Sequence, residues 1–545
     1  MRTSAQMPQG RPDTLRDVLL HHAANRPQAT FLIAPETQAQ LSYGELAHET
    51  GQFAEWSAQQ GLHRGDRIAM FLPNGMQAGL IFLAAMASGY VIVPLNLLAT
   101  PAQLQHCLRH SGACLVFTSE ELASTLGAAL SVLDTEGRGT KVVVVDPDAC
   151  TFRPPASSEA PASTEQEFEA VRQAASDGSR DAASDRELHT EDIALLMYTS
   201  GTTGVPKGVP LSHANLLHGA RSVAAWHGLG PNDRVLSALP LYHINGQVIA
   251  TLTPFVSGGS IVAPRKFSAS QWWGLVDLYQ CTWLNMVPTI IAYLLHASPH
   301  ATDASHTSVK FGRSASAPLP VEHHQAFERR FGIPIIEAMG MTETASVVFC
   351  NPQNHARRRY GSPGLPCGVE ARVAHPDGRW ADDNEVGEIV LRGPNVMQGY
   401  FDNPQENAKA FNEDGWLRTG DLGYRDSDGY FTITGRIKEL IIKGGENIAP
   451  REIDEVLLGH PAVLEAAAVG LPDANYGQEI YAAVTLKPGA FADAQVLRQH
   501  CYDALGRYKA PREILIVEDL PKGPSGKIQR LKLVDLWKAT QEVKA

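Results

Sequence analysis

Cysteine is scarce and poorly placed for cross-linking. There are seven in 545 residues (Cys107, Cys114, Cys150, Cys281, Cys350, Cys367 and Cys501), an odd number with no C-x-x-C pair. That excludes a disulfide frame and a zinc knuckle, and predicts reduced thiols in a cytoplasmic protein. Positive charge is short as well. Lys and Arg number 46 against 58 Asp and Glu, for a net charge of -12, and no basic cluster with interleaved aromatics occurs. Nucleic acid is therefore not an expected partner. No apolar run is long enough, uninterrupted, to cross a membrane. The nearest, Met76 to Leu98, is broken by Gly89, Pro94 and Asn96, and reads as a helix Met76–Ser88 followed by a buried strand Tyr90–Leu95. The opening MRTSAQMPQGRPDTLRD lacks the apolar core of a signal peptide, and the closing QEVKA carries no sorting address.

What is present describes a large globular chain: 44% hydrophobic, 19% charged, and too long for one core. Strand and helix signals alternate early. Ser42-Tyr43-Gly44-Glu45 is a capping box opening a helix to about Gln60, followed by strands at Asp66–Leu72, Cys114–Thr118 and Lys141–Val145. Later strands fall at Val235–Leu239, Ser260–Ala263 and Thr282–Met286, and Ala371 to Leu391 reads as an antiparallel unit. The prediction is an α/β fold. Residues 1–434 form a large N-terminal domain of layered α/β subdomains plus a β unit, and 435–545 form a small, mobile α+β domain. Residues 150–190, rich in Pro, Ala, Ser, Asp and Glu, are expected to be a flexible surface insertion.

Chemistry concentrates in a few segments. After the apolar run Ile193–Met197, residues Tyr198 to Gly208 read YTSGTTGVPKG. Glycines Gly201 and Gly204 allow close backbone approach. The hydroxyls of Thr199, Ser200, Thr202 and Thr203 donate to phosphate oxygens, and Lys207 adds a positive charge. The spacing is not that of a P-loop, since Lys207 is followed by Gly208. Downstream come Ser314-Ala315-Ser316-Ala317-Pro318-Leu319, a small-residue turn against which a flat ring can lie, and Glu337-Ala338-Met339-Gly340-Met341-Thr342-Glu343, where Glu343 is a candidate Mg²⁺ ligand. Further on are Asp421, in a glycine-flanked turn suited to accepting two ribose hydroxyls, the run Gly435 to Asn447, and Pro521-Lys522-Gly523-Pro524-Ser525-Gly526-Lys527-Ile528, a shaped loop presenting one lysine. One by one these are turns and solvated charges.

As an ordered set, from Leu41 to about Leu533, they resemble the adenylate-forming superfamily of acyl-CoA and aryl-CoA ligases, peptide-synthetase adenylation domains and beetle luciferases. The resemblance implies a two-step reaction. A carboxylate attacks the α-phosphorus of Mg·ATP to give an acyl-adenylate and pyrophosphate, and the thiol of coenzyme A then displaces AMP. It implies that Lys527 contacts carboxylate and phosphate, that Glu343 binds Mg²⁺, and that Asp421 holds the ribose with Arg436 nearby. The Thr199–Lys207 loop manages the β- and γ-phosphates. Ser316, Ala317, Met339 and Thr342 flank the adenine, Lys438 is a hinge, and Lys443, Gly444 and Gly445 enter for thioester formation. His243 lines the acyl pocket and gates coenzyme A. Two positions depart from the family: Met339 replaces the usual aromatic, and Lys443 a small polar residue whose charge serves coenzyme A phosphates or nothing.

An acid–CoA ligase is the leading function, with a small carboxylic acid, ATP and coenzyme A as its partners. Asn245, Arg313, His243 and Gly340 fall in the expected acyl pocket. The polarity of Asn245, Asn285 and Arg313 favours a short polar or dianionic acid, with Arg313 meeting the second anion; the branch resembled is that of oxalate–CoA and sulfoacetate–CoA ligases. A fatty or aryl acid ligase is the alternative substrate class, and a non-catalytic nucleotide-binding regulator the alternative of a different class. An amino-acid adenylation domain fits less well, since the segment Tyr242–Asn245 lacks an Asp for a substrate ammonium. The residues do not choose between monomer and homo-oligomer.

Overall fold

A computed structural model describes residues 13–134, 140–153, 187–199, 205–297, 308–522 and 528–544. The first layer is a six-stranded sheet, in the order Lys141–Val144, Leu115–Thr118, Arg67–Phe71, Val91–Pro94, Ile193–Thr199 and Lys207–Ser212. It is parallel except for the closing hairpin of the last two strands. The apolar region Met76 to Leu98 folds as expected, into a helix Met76–Ala87 and a strand Val91–Pro94. Every residue of that helix is buried, because it lies between two sheets and has no solvent face to keep polar. Ser42 caps the helix Tyr43–Gln59 through the predicted box with Glu45.

A nine-stranded sheet forms the second layer. Its centre runs Ile335–Met339, Phe311–Ser314, Trp283–Met286, Arg234–Leu236 and Ser260–Val262, all parallel to their neighbours. Buried parallel strands of this kind place their C-terminal ends together, where ligands of open α/β sheets bind. A four-stranded antiparallel sheet follows (Glu370–Ala374, Gly387–Arg392, Leu417–Arg425 and Phe431–Arg436), as the composition of that block predicts.

From Ile441 onward a five-stranded sheet, with helices Pro450–Leu458 and Ala494–Lys509, encloses apolar clusters separate from those of the N-terminal layers. Strand Phe431–Arg436 runs across the expected 434/435 boundary, and the single turn Ile437–Glu439, which holds Lys438, follows it. The predicted insertion also needs narrowing. Phe152 is buried among Phe53, Trp56 and Phe117, and its amide donates to Glu49 Oε2 at 2.7 Å, so the chain is still anchored to the core at Phe152, between the exposed Cys150 and Arg153. Residues 154–186 lie outside those described. Among the described residues, no helix is long and apolar enough to cross a membrane.

Candidate active site

Thr199 and Lys207 are the last paired residues of the hairpin in the six-stranded sheet, and so flank the predicted phosphate loop. Ser200, Gly201, Thr202, Thr203 and Gly204 lie outside the described residues, as does Lys527. Lys207 Nζ lies 2.6 Å from Glu406 Oε2 and 4.5 Å from the centre of the Tyr400 ring. The hydroxyl of Tyr400 donates to Glu343 Oε1 at 3.0 Å. Backbone bonds fix this arrangement: Met397 N–H donates to the Glu343 carbonyl and Phe401 N–H to that of Gly208, each at 2.8 Å. The segment 397–401 therefore joins the turn of Glu343 to the strand of Lys207.

Tyr400 and Glu406 were not singled out in the sequence. A helix start at Asn403-Pro404 is legible there, but nothing local shows that Glu406 meets a lysine 199 residues away.

Asp421 lies not in the expected turn but within strand Leu417–Arg425, where the ladder pairs it with Arg436 on the neighbouring antiparallel strand, and Arg436 Nε donates to Asp421 Oδ1 at 2.6 Å. The other oxygen, Oδ2, is buried and has no hydrogen-bond partner among the described residues. A buried carboxylate oxygen without a donor is costly, and a ribose hydroxyl is a fitting donor for it. Burial lowers the Arg436 pKa, but the charges of Asp421, Glu439 and Glu343 outweigh that, and the guanidinium is held above its ordinary value. Those influences also bring Glu343 into the same charged cluster. A single half-buried carboxylate fits a cation that arrives with nucleotide phosphates and waters, and no cluster of three or more metal-ligating side chains occurs among the described residues.

Strand ends shape the floor. Ser316 and Ala317 follow strand Phe311–Ser314, and Ser316 has φ of 74°, a left-handed conformation unusual for a side-chain-bearing residue. Met339 ends the next strand and packs half-buried against the core. At Gly340 a Cβ would lie 1.2 Å from the Ser346 carbonyl oxygen, so only glycine is tolerated. Thr342 begins the turn that carries Glu343.

Deeper in, Asn245 opens a π-helical stretch, Asn245–Leu252, a geometry often found at functional sites. Asn245 Nδ2 donates to Ser316 Oγ at 3.1 Å, and Asn285 Nδ2 donates to Asn245 Oδ1 at 3.0 Å. Half-buried His243 precedes this stretch, its Nδ1 accepting from Asn245 N at 3.4 Å. Arg313 pairs in register with Asn285 on the adjacent strand, so both side chains share one face. Only 1% of Arg313 is exposed, and its Nε and Nη1 have no hydrogen-bond partner among the described residues.

The remaining candidates are in the small domain. Gly444 and Gly445 turn the hairpin between Ile441–Lys443 and Glu446–Ile448, with φ of 57° and 88°. Lys443 is buried. Its Nζ sits 2.5 Å from Glu479 Oε1 and donates to the Tyr508 carbonyl at 2.8 Å, while Tyr508 donates its hydroxyl back to the Lys443 carbonyl at 2.6 Å. The ammonium considered for coenzyme A is thus engaged inside this domain.

Two packed α/β layers, a small C-terminal domain, a lysine-flanked loop and a buried carboxylate beside an arginine together fit a nucleotide-dependent acid-activating class of enzyme. Comparison with known proteins agrees. The AMP-binding enzyme family matches residues 19–401, and the AMP-binding enzyme C-terminal domain matches residues 452–527. The chain is 50% identical to a sulfoacetate–CoA ligase of Cupriavidus necator, over 96% of its own length and 98% of that protein. It is 35% identical to an oxalate–CoA ligase of Arabidopsis thaliana, over 86% and 88%. ATP-bound MatB from Rhodopseudomonas palustris superposes with a TM-score of 0.84 at 29% identity, covering 97% of this chain and 99% of that one; the apo form gives 0.73. The chain belongs to the AMP-binding enzyme family.

Proposed function

We propose that this AMP-forming acid–CoA ligase activates a short carboxylic acid bearing a second anion, of the sulfoacetate or oxalate kind. The observation that carries the substrate reading is Arg313: a buried guanidinium with two free donors, beside a polar chain of Asn285, Asn245 and Ser316. Asn285, Asn245 and Ser316 bond one another, but an apolar tail would leave the Arg313 donors unsatisfied, whereas a sulfonate or second carboxylate accepts from the guanidinium in a charge-assisted bond. The identity to a sulfoacetate–CoA ligase supports the same substrate class.

In the first step a carboxylate oxygen of the acid attacks the α-phosphorus of ATP, the bond to the bridging oxygen breaks, and pyrophosphate leaves. Both reactants are anions, so the chain's cations must hold them together. Lys207 takes the terminal phosphates, Lys527 the carboxylate and α-phosphate, and Asp421 with Arg436 the ribose side. Glu343 would hold Mg²⁺, which when bound would neutralise phosphate charge. In the second step the coenzyme A sulfur attacks the acyl carbon, AMP leaves, and the thiol proton is released. For this the small domain turns about Lys438 and brings in the Gly444-Gly445 hairpin, while His243 borders the acyl and thiol paths. The higher score against ATP-bound MatB supports an adenylation-type arrangement here. All seven cysteines are free, which suits the reducing cytoplasm.

The test is pyrophosphate release with Mg·ATP, with and without coenzyme A, across sulfoacetate, oxalate, malonate, acetate, benzoate, hexanoate and palmitate. CoA-dependent turnover of a small dianion is expected. Preference for acetate, hexanoate or palmitate would refute the role of Arg313.

A further inference from the structure

The environment of Lys207 contains a group that the reaction does not need. Its ammonium rests on the face of Tyr400 and is closed off by Glu406 at 2.6 Å, with the side chains of the pair 16% and 27% exposed. Glu406 is held in place from behind. It lies in the first turn of helix Pro404–Ala410, where its amide donates to the capping Asn403, and its second oxygen, Oε1, is 3.5 Å from Lys409 Nζ. The ammonium is therefore neutralised before any phosphate arrives, and the carboxylate has a second cation, 75% exposed, waiting on its other oxygen.

We propose that Glu406 is a positioning residue that holds Lys207 in the nucleotide-free enzyme and surrenders it to the terminal phosphates, thereby weakening ATP and pyrophosphate relative to AMP. This rests on the reading that Lys207 contacts the β- and γ-phosphates. A polyphosphate presents several negative charges where Glu406 presents one, so it displaces the carboxylate, and Glu406 turns to Lys409. When pyrophosphate leaves, Glu406 recovers Lys207 and opposes its return. The ring of Tyr400 keeps the ammonium on one track during the exchange, since a cation stays bound along an aromatic face. Glu406 thus spends part of the affinity for ATP to release the first product. AMP has neither distal phosphate and does not compete for Lys207.

The experiment is calorimetric binding of Mg·ATP, pyrophosphate and AMP to the whole protein without acid or coenzyme A, for wild type, Glu406→Gln and Lys207→Gln. Glu406→Gln is expected to tighten ATP and pyrophosphate by about 3- to 5-fold, the upper range of a partly exposed ion pair, with AMP unchanged within about 1.5-fold. Lys207→Gln should weaken ATP and pyrophosphate and spare AMP. If Lys207→Gln leaves the ratio of ATP to AMP affinity unchanged, the reading of Lys207 fails. If it lowers that ratio while Glu406→Gln leaves it unchanged, or weakens all three ligands alike, the role given to Glu406 is overturned. A melting temperature of Glu406→Gln close to wild type keeps the comparison valid.

Discussion

Arg436 and Asp421 face each other across two antiparallel strands, joined through one carboxylate oxygen at 2.6 Å while the other is buried and has no donor among the described residues. The arginine fixes the carboxylate's orientation, and the second oxygen is the one a ribose hydroxyl could meet. Asp421→Asn keeps the shape but replaces an anionic acceptor with an amide, which meets hydroxyl donors less well. AMP affinity should fall about 10- to 100-fold, the range of one or two charge-assisted hydrogen bonds. Calorimetry with AMP decides it, and a change below twofold would remove Asp421 from the nucleotide site.

Arg313 sets function against stability. A fully buried guanidinium with two unsatisfied donors costs the fold free energy that an apolar side chain of similar length would not. Arg313→Met should raise the melting temperature by about 2–4 °C. The same change should cut kcat/KM for a dianionic acid by at least about 100-fold, since a buried ion pair is lost, and leave acetate nearly unaffected. Calorimetric melting and kinetics on the two acids check both halves. A variant less stable than wild type and equally active on sulfoacetate would contradict the placement of this side chain in the pocket.

Much of this site is legible in the chain because it is built from local motifs. The apolar strand that runs into the loop between Thr199 and Lys207 follows from residue types within a few positions, whereas Asp421, read from its flanking glycines as a turn residue, lies inside strand Leu417–Arg425 because its partner strand is supplied from 15 residues away. The capping box at Ser42 and the buried helix Met76–Ala87 were equally readable, since capping and unbroken apolarity are short-range signals. What escaped notice is what depends on distant packing. Tyr400 acquires meaning only where segment 397–401 lies against both Glu343 and Gly208, and Phe152 looks like loop until it meets Phe53 and Trp56. Lys443 misled by its charge. A lysine beside two glycines reads as solvent-facing, and only the fold supplies Glu479 and Tyr508 to bury it.

Glu337 gives the fold a pH dependence with a definite sign. Burial lifts its pKa from 4.5 to about 6, against the opposing pull of the Leu319 N–H and the positive charges of Arg451 and His324. In the unfolded chain this carboxyl ionises near 4.5, whereas in the fold it stays neutral to about 6. The folded state binds the extra proton, so stability falls as pH rises from 4.5 to 6, and above that the full cost of about 2 kcal/mol is carried. Glu337→Gln keeps an acceptor for Leu319 and removes the ionisation. It should melt about 2–4 °C above wild type at pH 8 and at the same temperature at pH 4.5. An advantage that does not change with pH would mean the carboxyl is not the titrating group.

Lys443 and Glu479 make the last case, because their effect should be confined to one half-reaction. The pair is buried inside the small domain, and Tyr508 bonds the Lys443 backbone carbonyl, so the hairpin of Gly444 and Gly445 is braced from below. If that hairpin enters the site only for thioester formation, loosening it leaves adenylation alone. Glu479→Gln keeps the volume and a hydrogen-bond acceptor but leaves the lysine charge unpaired, and breaking such a pair costs about 3–5 kcal/mol within the domain. Acid-dependent exchange of pyrophosphate into ATP should continue within about twofold of wild type, while CoA-dependent discharge of preformed acyl-adenylate slows about 10-fold or more. Replacing both members with apolar residues of similar size, Lys443→Met with Glu479→Leu, should restore packing and recover most of the discharge rate, because neither charge is then stranded. Equal loss in both half-reactions, or no recovery in the double variant, would show that the pair supports the fold generally or acts through its charge, and that it does not brace the hairpin.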